Sequence, residues 1–382
     1  MVSLNDDATR SPSLWFPDGT LVIRAERTLF RVYAGLLARE SPVFADMLAF
    51  PQHETEMERV EGCPVVELYD DSAEEVRCFL EAVFDYRTFL PPPTRTTWPI
   101  LTSILRLSRK YQVDDLTQRA MQHLSTAFPD KLELYPAANP SFDVDVRGLK
   151  TIIRVCRDLS VDWALPAACY QLCTMAGDVA AITGGDVEAD GNYLTGADAC
   201  HDRGHAPADP HTPSPSHAPE HEHDHHTLSP SDTALLHAQH TLLRAETGAK
   251  MSAFLHSPPI ARAIPGCPSP KQCVQTRANL RAQVDASLCV SLADGTESKS
   301  NAFPLALWDG SDWDRLNVCG VCLEVLRYRH KDEVQEFWRG LPARFDVVAG
   351  GGGSGWARLR RERRRDLGER EVGFVEWLGM NV

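Results

Sequence analysis

The order of strand and helix patterns in the first 130 residues constrains the fold of this chain more than any other feature. Residues 14–16 (Leu-Trp-Phe) and 21–23 (Leu-Val-Ile) are short β-forming runs, and Asp18 and Gly19 lie between them. An Asp-Gly pair between such runs predicts a tight hairpin, because glycine adopts positive φ angles without a steric penalty. We therefore expect these two runs to pair with each other as neighbouring strands.

Helix signals follow the predicted hairpin. Ser41 and Pro42 carry the N-cap and first-turn chemistry of a helix start, so one short helix ends and another begins there. A third β-forming run occupies residues 65–69, and segment 71–75 after it has the acidic composition of a first helical turn. The next apolar residues fall on one helical stripe, namely Val76, Phe79, Leu80, Val83 and Phe84. Two further helices of the same kind complete the region, so the predicted fold class is α+β, a small sheet capped by helices.

Several short motifs follow one another in this part of the chain. They are Leu14-Trp15-Phe16 with Asp18-Gly19, Phe30-Arg31-Val32, Leu36-Leu37 with Ser41-Pro42-Val43-Phe44 and Met47, Glu61-Gly62-Cys63-Pro64-Val65-Val66, and Leu107 to Leu116. On these motifs, residues 12–130 resemble a BTB/POZ domain, most closely the form found in fungal proteins of the basidiomycete type. The resemblance implies a domain that binds itself, an adaptor partner, or a cullin-type ubiquitin ligase scaffold.

Two features of this chain depart from the pattern of that family. Tyr33 stands where many relatives have histidine, and only a short polar segment precedes Leu14. A swapped N-terminal strand has little room in such a chain, so we do not expect domain-swapped dimerisation. We expect partner contact after the second short helix, where apolar and polar side chains mix as they do in interfaces. The residues of this predicted partner site are Phe50, Pro51, Gln52 and His53.

Beyond the BTB-like segment, helical spacing of apolar residues continues through 145–180 and predicts a helical extension. Between residues 183 and 231 the composition changes to Gly, Pro, Ser, Asp and His, so this stretch lacks the apolar surface that offsets the entropy of ordering. We interpret it as a disordered insertion. Its clustered histidines could bind zinc, nickel or copper, but a flexible run has no fixed geometry, so we favour a solvated linker. They are His221, His223, His225 and His226.

A mainly helical region is predicted over 232–345, and it contains a candidate metal site. The candidate ligands are Cys267, Cys273, Cys319 and Cys322. Cys-x-x-Cys places two thiolates within one turn, and a second pair could close a tetrahedral zinc site. However, five residues separate Cys267 from Cys273, outside the usual spacing, and buried cysteine is a common core residue. We therefore favour four buried core thiols and keep a zinc site as the more specific hypothesis. We expect no redox role for the Cys-x-x-Cys pair, because no βαβ pattern surrounds it.

Residues 338–345 carry a Trp, Leu-Pro, Phe pattern that resembles the C-terminal part of the same fungal proteins. The final segment, 346–382, consists of a Gly-rich linker followed by an arginine-rich helix. The arginines are Arg358, Arg360, Arg361, Arg363, Arg364, Arg365 and Arg370. Such a cluster can serve nuclear import or contact phosphates. Interleaved acidic residues favour i,i+4 pairs along a solvated helix, which is the interpretation that we prefer.

Composition narrows the class of protein. The chain is 43% hydrophobic and 24% charged with a formal net charge of -14, which argues against nonspecific nucleic-acid binding by the whole molecule. The length of 382 residues predicts two or three domains. A polar N-terminus and the lack of a long apolar run indicate neither secretion nor membrane spanning. Eleven cysteines without a compact disulfide pattern predict reduced thiols in the cytoplasm or nucleus.

No enzyme motif appears in the sequence. We find no Gly-rich phosphate loop, no His-Glu-x-x-His helix and no Gly-x-Ser-x-Gly elbow. His123, at the edge of an apolar stripe, is interpreted as a core or surface residue and not as a general base. The sequence therefore predicts a non-enzymatic protein-interaction protein. The alternative is a transcription-associated module with a cysteine-bound zinc and an arginine-rich helix that contacts nucleic acid.

Overall fold

A small sheet near the N-terminus and helices over most of the remaining chain make up the fold. The computed structural model describes residues 8–50, 58–135, 139–176, 179–183, 227–256, 259, 262–280, 282, 305, 313–314, 316–347 and 354–369. Within these residues the protein is mixed α+β, which confirms the predicted fold class. No helix in the described ranges is long and apolar enough to cross a membrane.

The sheet lies in the order β1-β3-β2-β5-β4. Its strands are β1 (Thr9–Trp15), β2 (Leu21–Ala25), β3 (Thr28–Val32), β4 (Arg59–Val60) and β5 (Cys63–Leu68). The helices of the N-terminal part are α1 (Ala34–Glu40), α2 (Pro42–Ala49), α3 (Ala73–Phe84), α4 (Trp98–Lys110) and α5 (Asp114–Ala127). The later helices are α6 (Val146–Asp158), α7 (Leu165–Met175), α8 (Val179–Thr183), α9 (Pro230–His256), α10 (270–280), α11 (Gly320–Arg344) and α12 (Ser354–Asp366).

Strand pairing differs from the sequence prediction. β1 lies parallel to β3, while β2 pairs antiparallel with β3 and parallel with β5, so the predicted pairing of 14–16 with 21–23 is wrong. A turn does form at Gly19, whose N–H donates to the Phe16 carbonyl at 2.9 Å. The hairpin instead joins β2 to β3 at Glu26, which has a φ of 50°. A turn signal in the sequence does not determine which strands pair with each other. Pro12 has no backbone N–H to donate to a neighbouring strand, so β1 fits at the edge of the sheet.

The predicted helix starts are confirmed by their caps. Ser41 Oγ accepts a hydrogen bond from the Phe44 N–H at 3.2 Å and donates to the Tyr111 carbonyl at 2.5 Å. Ser72 and Glu75 form a capping box at the start of α3. The apolar stripes of α3, α4 and α5 face one common core, as their spacing predicted. Local signals were therefore sufficient to locate these helices.

His123 is a core histidine, the first of the two positions, core or surface, that the sequence left open. Its side chain is fully buried, with Nδ1 2.6 Å from Ser141 Oγ and Nε2 2.8 Å from the Leu90 carbonyl oxygen. Because a carbonyl only accepts, Nε2 carries the proton and Nδ1 accepts from the serine hydroxyl. Burial lowers the pKa of His123, against a smaller opposing effect of the Leu90 carbonyl. The neutral ring thus ties α5 to two loops.

Helices α6 and α7 lie within the segment 145–180, where the spacing of apolar residues predicted helices. Gly148 lies against Trp98 of α4, and a Cβ atom there would come 2.8 Å from the indole Cδ1. Glycine therefore allows α6 to approach α4 closely. Trp163 and Tyr170 are buried in the same core as the N-terminal helices.

Helix α9 begins earlier than composition indicated. Ser229 Oγ accepts from the Asp232 N–H at 3.0 Å, and Leu228 is buried in the common core. Residues 227–231 therefore belong to the folded part, because a capped helix start and one apolar anchor order them. At its other end, residue 183 belongs to α8, and residues 184–226, including the histidine tract His221, His223, His225 and His226, lie outside the described residues.

Helix α11 brings its predicted apolar face into the core. Phe337, Trp338 and Leu341 are buried together with side chains of the N-terminal helices. Arg157 of α6 reinforces this packing, since it donates to Asp232 Oδ1 at 3.1 Å and to the Phe345 carbonyl at 2.8 Å. One guanidinium thus joins α6 to the start of α9 and the end of α11.

Helix α12 is docked on the protein and is not the freely solvated helix that its charge pattern predicted. Trp356 stacks on Trp338 with ring centroids 4.9 Å apart, and its Nε1–H donates to the Trp338 carbonyl at 2.6 Å. Leu359 is fully buried in the core. The expected i,i+4 pairing is confirmed by Arg358 and Glu362, 3.0 Å apart. Burial of these two apolar residues on the inner face of α12 therefore holds the helix against the protein, although its outer face is charged and solvated.

Replacing Trp356 with alanine tests this docking. Because the indole is buried and stacked, we expect Trp356→Ala to lower the free energy of unfolding by about 3–5 kcal/mol in urea titrations. Arg361→Ala, on the exposed side of the same helix, should change it by less than about 0.5 kcal/mol. Equal effects of the two substitutions would show that α12 is not packed as described.

The buried histidine predicts a pH dependence of stability. The pKa of His123 is lowered from 6.5 by burial, so the unfolded chain binds a proton more readily than the folded protein does. Its contribution to stability is full above the unfolded pKa and is lost as the pH falls towards the folded pKa. We expect His123→Gln to flatten the decline in urea-unfolding free energy between pH 7.5 and 5.5. An unchanged slope in this variant would contradict a neutral buried ring.

Candidate metal centre

Four cysteines from two separate segments meet at the start of α11. Cys267 follows a turn at Gly266, whose φ is +80°, and Cys273 lies in the first turn of α10. Cys319 is the N-cap of α11 and Cys322 lies in its first turn, so the Cys-x-x-Cys pair spans one helix start. The five intervening residues after Cys267 lead into α10. The first turn of α10 therefore begins between Cys267 and Cys273. This accounts for a spacing that is longer than the usual two to four residues.

The sulfur geometry fits one metal ion. The four Sγ atoms all lie within 4.8 Å of one another, and those of Cys267 and Cys319 are 3.6 Å apart. Four sulfurs bound tetrahedrally at about 2.3 Å from zinc would be separated by about 3.8 Å. Small side-chain shifts would therefore bring all four thiolates to bonding distance.

The surroundings of the centre are apolar on its inner side. Cys273 and Cys322 are buried, whereas Cys267 and Cys319 are half-buried. Ile264 completes the buried part of this cluster, and Val318 and Val325 pack against it. The Cys319 N–H donates to the Cys273 sulfur at 3.4 Å, a backbone hydrogen bond that favours the thiolate form.

The local electrostatics differ between the half-buried and the buried thiols. The backbone N–H of Cys322, with neighbouring thiols, lowers the pKa of Cys319 to about 7. Burial raises the pKa values of Cys273 and Cys322. Cys319 can therefore supply a first thiolate near neutral pH, and a bound cation would favour deprotonation of the others.

The predicted partner site is only partly described. Phe50 ends α2 with 74% of its surface exposed, so it can contact another molecule. Pro51, Gln52 and His53 lie outside the described residues. Two further exposed aromatic residues of the N-terminal part, Tyr69 and Tyr86, were not predicted, because strand and helix periodicity does not mark isolated surface positions.

The arginines of α12 divide into an inner and an outer set. Arg360 and Arg363 approach the buried carboxylate of Asp130 at 3.3 Å and 3.5 Å, and Arg358 lies 2.8 Å from Asp162. The outer set, Arg361, Arg364 and Arg365, is exposed. Arg370 lies outside the described residues. Arg360 and Arg363 therefore act as internal anchors, a role that sequence spacing alone did not reveal, whereas Arg358 is exposed and its ion pair with Asp162 lies nearer the surface.

Comparison with known proteins adds no relative from which a role can be transferred. The chain matches no protein-family model, no curated protein and no solved structure. The BTB/POZ resemblance thus depends on the motifs quoted above, and the metal centre depends on its own geometry.

Metal content tests the centre directly. We expect purified protein to contain one zinc ion per chain by plasma mass spectrometry, because the four sulfurs form a single site. Cys322→Ser should lose most of this zinc, since it removes a buried ligand. Cys78→Ser, a buried cysteine outside the cluster, is the matched control and should keep it. Equal zinc content in both variants would assign the four thiols to the core.

Proposed function

We propose that this chain is a non-enzymatic interaction protein in which a BTB-like N-terminal module binds protein partners and a structural zinc holds the C-terminal helices. The observation that carries the zinc proposal is the convergence of four sulfurs within 4.8 Å. Core thiols need no common centre, and the other described cysteines do not form such a group. Two chain segments 46 residues apart, at Cys273 and Cys319, supply the ligands.

Zinc in this site would be structural and not catalytic. Catalytic zinc keeps one position open for water or substrate, whereas four protein thiolates fill all four positions. The ion would tie the entry of α10 to the start of α11. Its binding free energy would then contribute to folding of this part of the chain.

The arrangement of the N-terminal elements supports the BTB-like assignment. The β2–β3 hairpin, the helix pair α1–α2, strand β5 and helices α3 to α5 follow one another in the order that the resemblance implies. β1 pairs with β3 of its own chain, which favours assembly without an exchanged strand. Partners of this surface would be a second copy, an adaptor protein or a cullin-type scaffold.

The nucleic-acid alternative has less support. It requires arginines that are free to meet phosphates, whereas Arg360 and Arg363 are paired with Asp130 and the exposed Arg358 is paired with Asp162. The exposed outer set remains as the only support within the described part of this helix. We therefore place protein binding first.

Substitution of Phe50 tests the interaction surface. Affinity capture with the full-length chain, followed by measurement of the dissociation constant for the recovered protein or for self-association, defines the starting affinity. We expect Phe50→Ala to weaken that affinity about tenfold or more, because exposed aromatic residues are frequent interface anchors. Tyr328→Ala, an equally exposed aromatic change on α11, should leave it unaltered. Failure to recover either the chain itself or another protein would count against the proposal.

A further inference from the structure

The four cysteines of the candidate metal centre divide into a buried pair and an outer pair. Cys273 and Cys322 are buried, whereas Cys267 and Cys319, the outer pair, are half-buried. The residues on both sides of Cys267 are exposed, and so is Gly320 after Cys319. Access to solvent is one of the properties that decide which thiols in a protein are oxidised. A small dissolved oxidant therefore reaches the outer pair before the buried pair.

The outer pair is also close enough to form a bond. The Sγ atoms of Cys267 and Cys319 are 3.6 Å apart, and a disulfide requires about 2.0 Å. Cys267 lies in the turn segment before α10, which begins at residue 270, and Cys319 is the N-cap of α11. Neither residue lies within a helix, so a shift of about 1.6 Å between the two sulfurs leaves both helices intact. Cys273 and Cys322 lie in first helical turns and are held more firmly.

We propose that Cys267 and Cys319 form a redox switch, in which a peroxide oxidises them to a disulfide and the zinc ion is released. This inference rests on the proposed zinc site. The two thiolates lose one electron each and form the S–S bond, and both of their bonds to zinc break. Hydrogen peroxide takes up these two electrons and two protons, and its O–O bond breaks to give two molecules of water.

Release of the ion follows from the loss of two ligands. Only Cys273 and Cys322 remain, whereas a structural zinc site has four protein ligands. The ion leaves as hydrated Zn²⁺, and these two thiolates take up protons from water. The new disulfide keeps the segment before α10 joined to the start of α11, so reduction returns the outer sulfurs to the same centre. The switch is therefore reversible, and it does not use the Cys-x-x-Cys pair.

Oxidation of the zinc-loaded, full-length chain with hydrogen peroxide tests this switch. We expect loss of the one zinc ion per chain, measured with a chromophoric zinc indicator. Alkylation and non-reducing peptide mass spectrometry should find Cys267 joined to Cys319, with Cys273 and Cys322 still free thiols. Dithiothreitol followed by Zn²⁺ should restore the metal content. Cys78→Ser, which changes a buried cysteine outside the cluster, should release zinc to the same extent.

Three results would overturn the switch while leaving the zinc site in place. They are retention of zinc in the presence of peroxide, a disulfide between Cys319 and Cys322, and loss of zinc through sulfinic or sulfonic acids that dithiothreitol does not reverse. A chain that contains no zinc before oxidation, even after incubation with Zn²⁺, would overturn the zinc site and the switch together. Metal analysis of the untreated protein therefore distinguishes the two failures.

Discussion

The burial of α11 at both of its ends is the constraint on which the C-terminal half of the protein depends. Its last turns carry Phe337, Trp338 and Leu341 into a core shared with the N-terminal helices. Trp338 also provides the stacking surface for Trp356, so α12 is seated only where α11 is already in place. At the other end, Cys319 and Cys322 meet two cysteines of a separate segment. Apolar burial and sulfur chemistry therefore position opposite ends of one helix.

The sequence predicted the features that local chemistry determines. Capping residues such as Ser41 and Ser72 act within a few positions, and apolar stripes repeat with the helical period, so helix positions could be inferred without a partner. Strand pairing is a non-local choice, and the Asp-Gly signal at Gly19 marked a turn but could not show that β1 lies beside β3. The docking of α12 was missed for a related reason. Its two large buried apolar side chains, Trp356 and Leu359, are few beside its many arginines.

The candidate site was predictable in its ligands but not in its environment. Thiol type and the Cys-x-x-Cys spacing identified all four cysteines, and only their convergence distinguishes a metal site from scattered core residues. The apolar neighbours of the sulfurs, among them Ile264 and Val325, gave no sign of this role in the sequence, because they resemble any other apolar residues. The acidic partners of α12 were hidden in the same way. Asp130 and Arg363 are distant in sequence and meet only after the intervening helices have packed.

The proposed zinc and the interaction module are connected through α11 without sharing a surface. Leu326 and Val334, in the middle of that helix, form a small cluster against which Leu132 of the N-terminal part packs. Loss of the ion would free the first turn of α11, where the sulfurs are the main buried contacts. The apolar contacts of Phe337 and Trp338 would remain, because their burial does not depend on the metal. Metal loss should therefore loosen α11 from its N-terminal end, while the core that the N-terminal sheet and helices share with Phe337 and Trp338 stays in place.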